Sequence, residues 1–251
     1  MKNINSIILF YLISLSVLGQ NERADTLMLQ KKKNVQLKYR SLIIPTTLIG
    51  YGAVGVKNNR LKDINLEIKN AINNHIDKKS IIDNSLQYVP FLSVYILNTI
   101  GIKGENNLED RIITLATAYI IMGITVNSTK KLTSIERPDG SSRMSFPSGH
   151  TATAFMGAEF LYQEYKDISI WYGISGYLAA TGTGFLRISN NKHWFSDVVA
   201  GAGVGILSTK FAYWINPLIK RSVLKKKENM IGILTPFYNG KEYGLALSMS
   251  F

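Results

Sequence analysis

The sequence predicts an all-α protein, a helical bundle of about six core helices followed by a C-terminal β-hairpin-like tail. Long uncharged apolar runs alternate with charged connectors, and the lengths of the runs favour helices over strands. Glycine and other small residues recur in these runs, a composition typical of closely packed helices. Near the end of the chain, an Asn239-Gly240 pair separates two further runs, which predicts a hairpin with strands Ile231–Tyr238 and Lys241–Phe251.

Six apolar runs define the expected helices. Ser148 is a candidate N-cap for the fourth helix, and Asp197 supplies a carboxylate at the start of the sixth, where the helix dipole favours an acid. Gly201, Gly203 and Gly205 in the sixth run indicate a close approach to a neighbouring helix. The runs cover residues 41–56, 84–102, 112–129, 151–162, 168–186 and 198–209, and the last one extends through 211–219.

The first residues resemble a targeting signal. Lys2 precedes an apolar stretch, Ile7–Leu18, that is shorter than a bilayer crossing requires, and Gly19 fits a small-residue cleavage site. We therefore expect a signal peptide, with an uncleaved anchor helix as the alternative. The expected organisation is a signal peptide over 1–19, a polar lead-in over 20–39, a helical domain over 40–219, and a basic linker with the hairpin-like tail over 220–251.

Composition narrows the classes of function. The chain has 251 residues, 46% of them apolar, which excludes a mainly disordered protein. The absence of cysteine excludes a disulfide framework, cysteine-ligated zinc and thiol catalysis. A net charge of +12 indicates an anionic partner, and the export signal favours a phosphate-bearing substrate or an anionic membrane surface over nucleic acid. Lys31–Lys33 and Lys225–Lys227 are candidates for contact with lipid headgroups.

Several residues have the chemistry of a phosphate site. Lys130 and Arg137 lie seven residues apart, about two helical turns, and share a face if the segment is helical. Arg137 and Arg187 carry planar guanidinium groups that match phosphate oxygens, and Lys130 adds a point charge. Ser148 and Gly149 stand at a helix start, where free backbone N–H groups favour an anion. Taken alone, each stretch is also typical of a solvated basic face or an ordinary turn.

Two of the three histidines stand where phosphoryl transfer needs them. His193 and Asp197 are four residues apart, so the carboxylate can hold one imidazole nitrogen if a helical turn begins near His193. The other nitrogen is then free to attack phosphorus, and His150 is left to protonate the leaving group. His75 lies in a polar connector and is interpreted as an ordinary packed histidine.

The order and spacing of these residues resemble the type-2 phosphatidic acid phosphatase superfamily. That family carries Lys-x6-Arg-Pro, then Pro-Ser-Gly-His, then Ser-Arg-x5-His-x3-Asp. The resemblance covers roughly residues 85–216, and Leu186 stands where the family has serine. The corresponding stretches of this chain are Lys130-x6-Arg137-Pro138, Pro147-Ser148-Gly149-His150 and Arg187-x5-His193-x3-Asp197.

The resemblance implies a metal-independent hydrolase of phosphomonoesters or diphosphates that needs no cofactor. It implies a phosphohistidine intermediate on His193, oriented by Asp197, with His150 acting as the acid and then as the base. The expected substrate is a membrane lipid of the phosphatidic acid, phosphatidylglycerol phosphate, isoprenyl diphosphate or lipid A type. The residues implied to bind the phosphoryl oxygens are Lys130, Arg137, Ser148, Gly149 and Arg187.

Other functions stay open. The chain is alternatively a soluble periplasmic acid phosphatase for small esters, a non-catalytic envelope protein that binds anionic lipid, or a haloperoxidase that holds vanadate in the same pocket. A dinucleotide site at Gly50-Tyr-Gly52-Ala-Val-Gly55 is disfavoured because no βαβ pattern surrounds it, and close helix packing is the preferred interpretation. A metal site on His193 and Asp197 is disfavoured because the chain has only three histidines and no HExxH motif.

The expected location is the cell envelope, with the active site facing the periplasm on a domain that touches or partly enters the membrane. Counting the apolar runs as membrane spans places Ser41 at the end opposite the site. That count disagrees with a cleaved signal and a periplasmic site. The conflict disappears if the signal stays as an anchor, if run 41–56 does not cross, or if the bundle is not embedded.

Overall fold

The computed structural model describes residues 39–74, 81–227, 231–238 and 243–250. The predicted signal peptide, almost all of the predicted lead-in and His75 lie outside the described residues. Side chains are described as far as residue 221.

The described residues form eight helices and one two-stranded antiparallel sheet, which confirms the predicted all-α bundle with a C-terminal hairpin. In the hairpin, Ile231 pairs with Ser250 and Tyr238 with Tyr243. The helices are α1 (Arg40–Lys57), α2 (Asn59–Asn73), α3 (Asp83–Leu86), α4 (Val89–Thr99), α5 (Leu108–Thr133), α6 (Gly149–Tyr165), α7 (Ile170–Ser189) and α8 (Phe195–Lys227), and the strands are β1 (Ile231–Tyr238) and β2 (Tyr243–Ser250).

The structure differs from the sequence prediction in three places. Helix α2 falls in a stretch interpreted as a polar connector, although its apolar positions 61, 64, 68 and 72 follow helical spacing. The run predicted over 84–102 is divided into α3 and α4, because Pro90 suits the first turn of a new helix. Helix α8 continues through Pro217 to Lys227, so the expected basic linker begins inside a helix.

Helix α6 forms the centre of the bundle and packs against α4, α7 and α8. Its side chains Met156, Phe160 and Tyr165 are fully buried in the core. The predicted close packing of the small residues is confirmed at the contact between α1 and α8. A Cβ on Gly52 would lie 2.5 Å from Cβ of Ala200 and one on Gly55 2.8 Å from Cβ of Ser196, so these two glycines serve helix contact, whereas Gly50 faces open space.

The contacts of α1 also fix its direction. Gly52 faces Ala200 near the start of α8, whereas Pro45 faces Gly203 further along that helix. The two helices are therefore antiparallel, and α1 begins at the end of the bundle away from the start of α8. This agrees with the position that the count of apolar runs predicts for Ser41.

Acidic side chains on α6 point into the bundle and are neutralised there. The Glu159 carboxylate accepts from Lys210 Nζ at 2.7 Å. The Glu164 carboxylate accepts from Arg111 Nε at 3.1 Å and from Tyr213 Oη at 2.5 Å. Glu159 and Glu164 are each 2% exposed, so their charges are satisfied by partners within the bundle.

The outer face of the bundle carries exposed apolar side chains. On α5, Ile112, Ile120 and Ile124 are each more than half exposed. Within the described residues, two helical segments are long and apolar enough to cross a membrane, Leu108–Thr133 and Phe195–Arg221. An apolar outer surface of this extent is typical of contact with lipid or with another protein.

Candidate active site

The predicted site residues meet at one end of the bundle, where α5 and α7 end and α6 and α8 begin. Lys130 lies in the last turn of α5, and Arg187 lies in the last turn of α7. Gly149 and His150 open α6, with Ser148 as the residue before it. The start of α6 is joined to the first turn of α8, because the backbone N–H of Ser148 donates to the carbonyl oxygen of Asp197 at 3.0 Å.

The start of α6 is built as predicted. Ser148 is the N-cap, and its Oγ accepts from the backbone N–H of Thr151 at 3.4 Å. The same Oγ lies 2.9 Å from Thr151 Oγ1, and Ser148 is fully buried. This cap fixes the first turn of the helix, whose unpaired backbone N–H groups and positive dipole end favour an anion.

Of the two cationic side chains expected along α5, Lys130 lies on this helix and Arg137 lies beyond its end. The helix ends at Thr133, where the cap residue Ser134 takes a left-handed conformation with φ 47°. Arg137 therefore lies in the following loop, where its N–H donates to Ser142 O at 2.9 Å. Lys130 and Arg137 are expected to share a face only if the segment between them is helical, and this condition is not met, because a left-handed residue separates them.

Lys130 is held by the loop that leads to α6. Its Nζ donates to the carbonyl oxygens of Met144 at 2.6 Å and Ser145 at 3.1 Å. The neighbouring Lys131 is exposed. Of these two lysines, Lys130 is therefore the one directed at the predicted site.

Arg137 and Arg187 each keep a hydrogen-bond donor without a partner. The Nε atoms of both side chains are buried and have no hydrogen-bond partner in the described part of the chain. Arg187 uses Nη1 to bind Asp83 Oδ2 at 2.5 Å. Buried donors on a charged group are costly unless an acceptor meets them, so these two atoms are available to an anionic acceptor.

His193 precedes α8, and its imidazole faces Asp197 as predicted. Nδ1 of His193 lies 3.5 Å from Oδ2 of Asp197, and the two side chains are 2% and 1% exposed. That Oδ2 also accepts from Ser145 Oγ at 2.5 Å and from the backbone N–H of Trp194 at 2.9 Å. Asp197 is thus fixed by three neighbours, and Nε2 is left as the nitrogen that faces away from the carboxylate.

A cleft of about 480 Å³ opens beside this cluster. Lys130, Gly149 and His150 line its polar end. Tyr119 and Met122, earlier on α5, line its other end. Within the described residues, no group of three His, Asp or Glu side chains is arranged to hold a metal ion.

A comparison with known protein families agrees with the sequence motifs. The model of the PAP2 superfamily matches residues 111–221. This part of the chain belongs to the PAP2 superfamily. The resemblance that the motifs predict is thereby confirmed.

A known protein is similar to part of this chain. Lipid A 1-phosphatase of Porphyromonas gingivalis is 43% identical over 141 residues, which make up 56% of this chain and 32% of that protein. The chain thus spans about a third of the length of this relative.

Two solved structures are also similar. LpxE of Aquifex aeolicus is 24% identical with a TM-score of 0.47, over 60% of this chain and 94% of that one. The transmembrane PAP2-type phosphatidylglycerolphosphate phosphatase of Bacillus subtilis is 19% identical with a TM-score of 0.45, over 71% and 98%.

Both histidines of the predicted site have lowered pKa values. Burial is the largest cause for His193 and brings its pKa to about 4, although Asp197 raises it. Burial also lowers the pKa of His150 to about 4, and the charge of Arg187 adds to the effect. Both imidazoles are therefore neutral at pH 7, the form in which a histidine can act as a nucleophile.

Sequence reasoning missed several side chains that build this site. Ser145 Oγ donates to the Asp197 carboxylate. Its place two residues before the Pro-Ser-Gly-His motif is a sequence signal that could have identified it. Asn65 on α2 makes two hydrogen bonds of 3.0 Å to Ser196, with Nδ2 donating to Oγ and Oδ1 accepting from N. Asp83 and Asn84 on α3 reach the site from outside the PAP2-matched segment, and no local pattern marks them.

The lowered pKa of His193 can be measured directly. We expect a histidine NMR titration to show His193 well below the ordinary value of about 6.5. Asp197→Asn should lower this pKa further, since Asp197 is the group that raises it. Asp63→Asn, a matched change at an exposed site on α2, should leave the pKa unchanged. An increase in the His193 pKa on Asp197→Asn would contradict the arrangement described.

Proposed function

We propose that the chain is a metal-independent phosphatase that hydrolyses a phosphomonoester or diphosphate of a membrane lipid through a phosphohistidine intermediate. The observation that carries the proposal is the pair of buried, unpartnered Nε donors of Arg137 and Arg187 beside the buried His193 and Asp197. A phosphoryl group supplies the acceptors that those donors lack.

Binding of the phosphoryl group relies on groups that are already in place. The two guanidinium groups offer N–H donors, and the start of α6 at Gly149 offers backbone N–H groups. Lys130 adds positive charge at the polar end of the cleft. Because these donors are fixed before substrate arrives, they stabilise the charge that develops on the equatorial oxygens in the transition state.

The first chemical step is an in-line attack by His193. Its Nδ1 faces Asp197, so Nε2 forms the bond to phosphorus while the bond from phosphorus to the leaving oxygen breaks. His150 gives a proton to that oxygen. The phosphoryl dianion beside His150 raises the pKa of this side chain from its low resting value, so that it carries the proton when substrate is bound.

The second step releases phosphate. His150, now neutral, takes a proton from a water molecule whose oxygen attacks phosphorus. The bond between phosphorus and Nε2 of His193 breaks, and the imidazole returns to its neutral form. Asp197 stabilises the positive charge that His193 carries between the two steps.

The shape of the cleft supports a lipid substrate. It runs from the polar end at Lys130 to Tyr119 and Met122 within the helix segment that is long and apolar enough to cross a membrane. An apolar chain attached to the phosphate can lie along this wall. The similarity to a lipid A 1-phosphatase makes a lipid A-type phosphate the first substrate to test.

We further propose that the protein is located in the cell envelope, with a signal peptide at 1–19 and the site facing the periplasm. The exposed apolar side chains and the two membrane-length helix segments support a membrane-associated bundle. Helix α1 begins at the end opposite the site, so the proposed signal peptide requires that α1 does not cross the membrane, and a crossing α1 would require the uncleaved alternative instead.

The catalytic role of His193 is tested by phosphate release from a panel of lipid phosphates and one soluble ester. The wild-type chain should release phosphate with chelator present and should be inhibited by vanadate. His193→Ala should lose at least about 10³-fold in kcat/KM, because the group that attacks phosphorus is gone. Lys131→Ala, next to the site but exposed, is the matched control and should keep full activity. Full activity of His193→Ala would refute the mechanism, and loss on chelation would point to a metal.

The lipid role of the cleft is tested at Gly123, which lines it and has open space where a Cβ would stand. Gly123→Leu should reduce hydrolysis of a long-chain lipid phosphate by about 10-fold or more, since the added side chain is expected to fill the apolar wall. Hydrolysis of a soluble ester should stay within about twofold. Gly50→Leu, at another open glycine away from the cleft, is the control. Equal loss on both substrates would favour a soluble acid phosphatase.

Orientation can be measured because the chain has no cysteine. Leu132→Cys, at an exposed position at the site end, should react with a membrane-impermeant maleimide in cells whose inner membrane is intact. Lys166→Cys, in the α6–α7 connection at the opposite end, should react only after the membrane is opened. The reverse pattern would place the site on the cytoplasmic side.

A further inference from the structure

The short helix α3 places two side chains on two of the predicted site residues. Asp83 Oδ2 lies 2.5 Å from Arg187 Nη1, and the two side chains are 2% and 8% exposed. The next residue, Asn84, places Oδ1 3.0 Å from His150 Nε2 and also lines the cleft. Both residues precede the matched segment 111–221, so the PAP2 motifs do not account for them.

The contact with Asp83 uses Nη1 of the Arg187 guanidinium and leaves the buried Nε without a hydrogen-bond partner among the described residues. An arginine side chain has many rotamers, and an ion pair on one edge of its planar group restricts the direction of the other edge. The pair therefore aims the free Nε–H instead of merely neutralising the charge.

Burial makes this ion pair a strong constraint. Nearly complete exclusion of water means that Asp83 and Arg187 would each be left as an uncompensated charge if the other were removed. The adjacent contact of Asn84 with His150 ties the same helical turn to the α6 side of the site.

We propose that Asp83 is a positioning residue that holds Arg187 so that its Nε–H meets the phosphoryl group. This inference rests on the proposed function, since it assigns Arg187 to the substrate phosphate. Asp83 itself does not touch the reacting atoms and acts only through Arg187.

The experiment combines kinetics with vanadate binding on the full-length protein in detergent. Asp83→Asn should lower kcat/KM by about 10- to 100-fold, mainly through kcat, because a misplaced donor costs most in the transition state. Asp83→Glu should recover part of the loss, since the carboxylate is kept. Asp63→Asn makes the same change at an exposed position on α2, and its kcat/KM should stay within about twofold of wild type.

A double variant separates positioning from a structural role. If Asp83 acts through Arg187, Asp83→Asn should have little further effect in an Arg187→Ala background, on kcat/KM and on vanadate affinity alike. Multiplicative losses in the double variant would overturn the proposal. The proposal would also be overturned if Asp83→Asn folds, keeps the wild-type kcat/KM and shows only a lower melting temperature.

Vanadate binding distinguishes this proposal from the proposed function. If the wild-type chain releases no phosphate but binds vanadate, the phosphatase assignment fails. In that case the positioning role stands only if Asp83→Asn still weakens vanadate binding by about 10-fold or more. This weakening must also be absent when Arg187 is replaced by Ala. If the wild-type chain neither releases phosphate nor binds vanadate, both the proposed function and the positioning role of Asp83 are overturned.

Discussion

Helices α6 and α8 meet through their backbones. A Cβ on Gly201 would lie 2.5 Å from the carbonyl oxygen of Ser148, and one on Gly205 would approach the carbonyl oxygen of Ala152 more closely still. At this short separation the N–H of Ser148 can donate to the carbonyl oxygen of Asp197. The start of α6 and the acid that faces His193 are therefore brought together by glycine packing.

The electrostatics of the site follow from the burial of its side chains. Three cationic side chains surround two histidines that burial keeps neutral at pH 7. Carboxylates offset the positive charge at fixed places, with Asp197 beside His193 and Asp83 beside Arg187. A site of this kind holds its dipoles and charges in place beforehand, so that little reorganisation is needed when negative charge comes to lie beside them.

The rest of the bundle separates charge from apolar surface. Glu159 and Glu164 are paired inside, with Lys210 and Arg111, whereas Ile120 and Ile124 face outward. Most water-soluble bundles place charged side chains outside and apolar ones inside. The arrangement on α5 and α6 is what a lipid-facing bundle requires, because charges are neutralised away from the hydrocarbon and lipid meets apolar side chains.

The sequence by itself determined the features that depend on local order. Helical periodicity and apolar runs predicted most of the helices, the Asn-Gly pair predicted the hairpin, and the spacing of His193 and Asp197 predicted their approach. These features are readable because neighbouring residues within an element have nearly fixed geometry. Only the tertiary structure placed Arg137 in a loop and joined Asp83 to Arg187 and Asn65 to Ser196, pairs that are 104 and 131 residues apart. Such contacts depend on how closely whole helices pack, and that distance is decided by side chains far from the residues that meet.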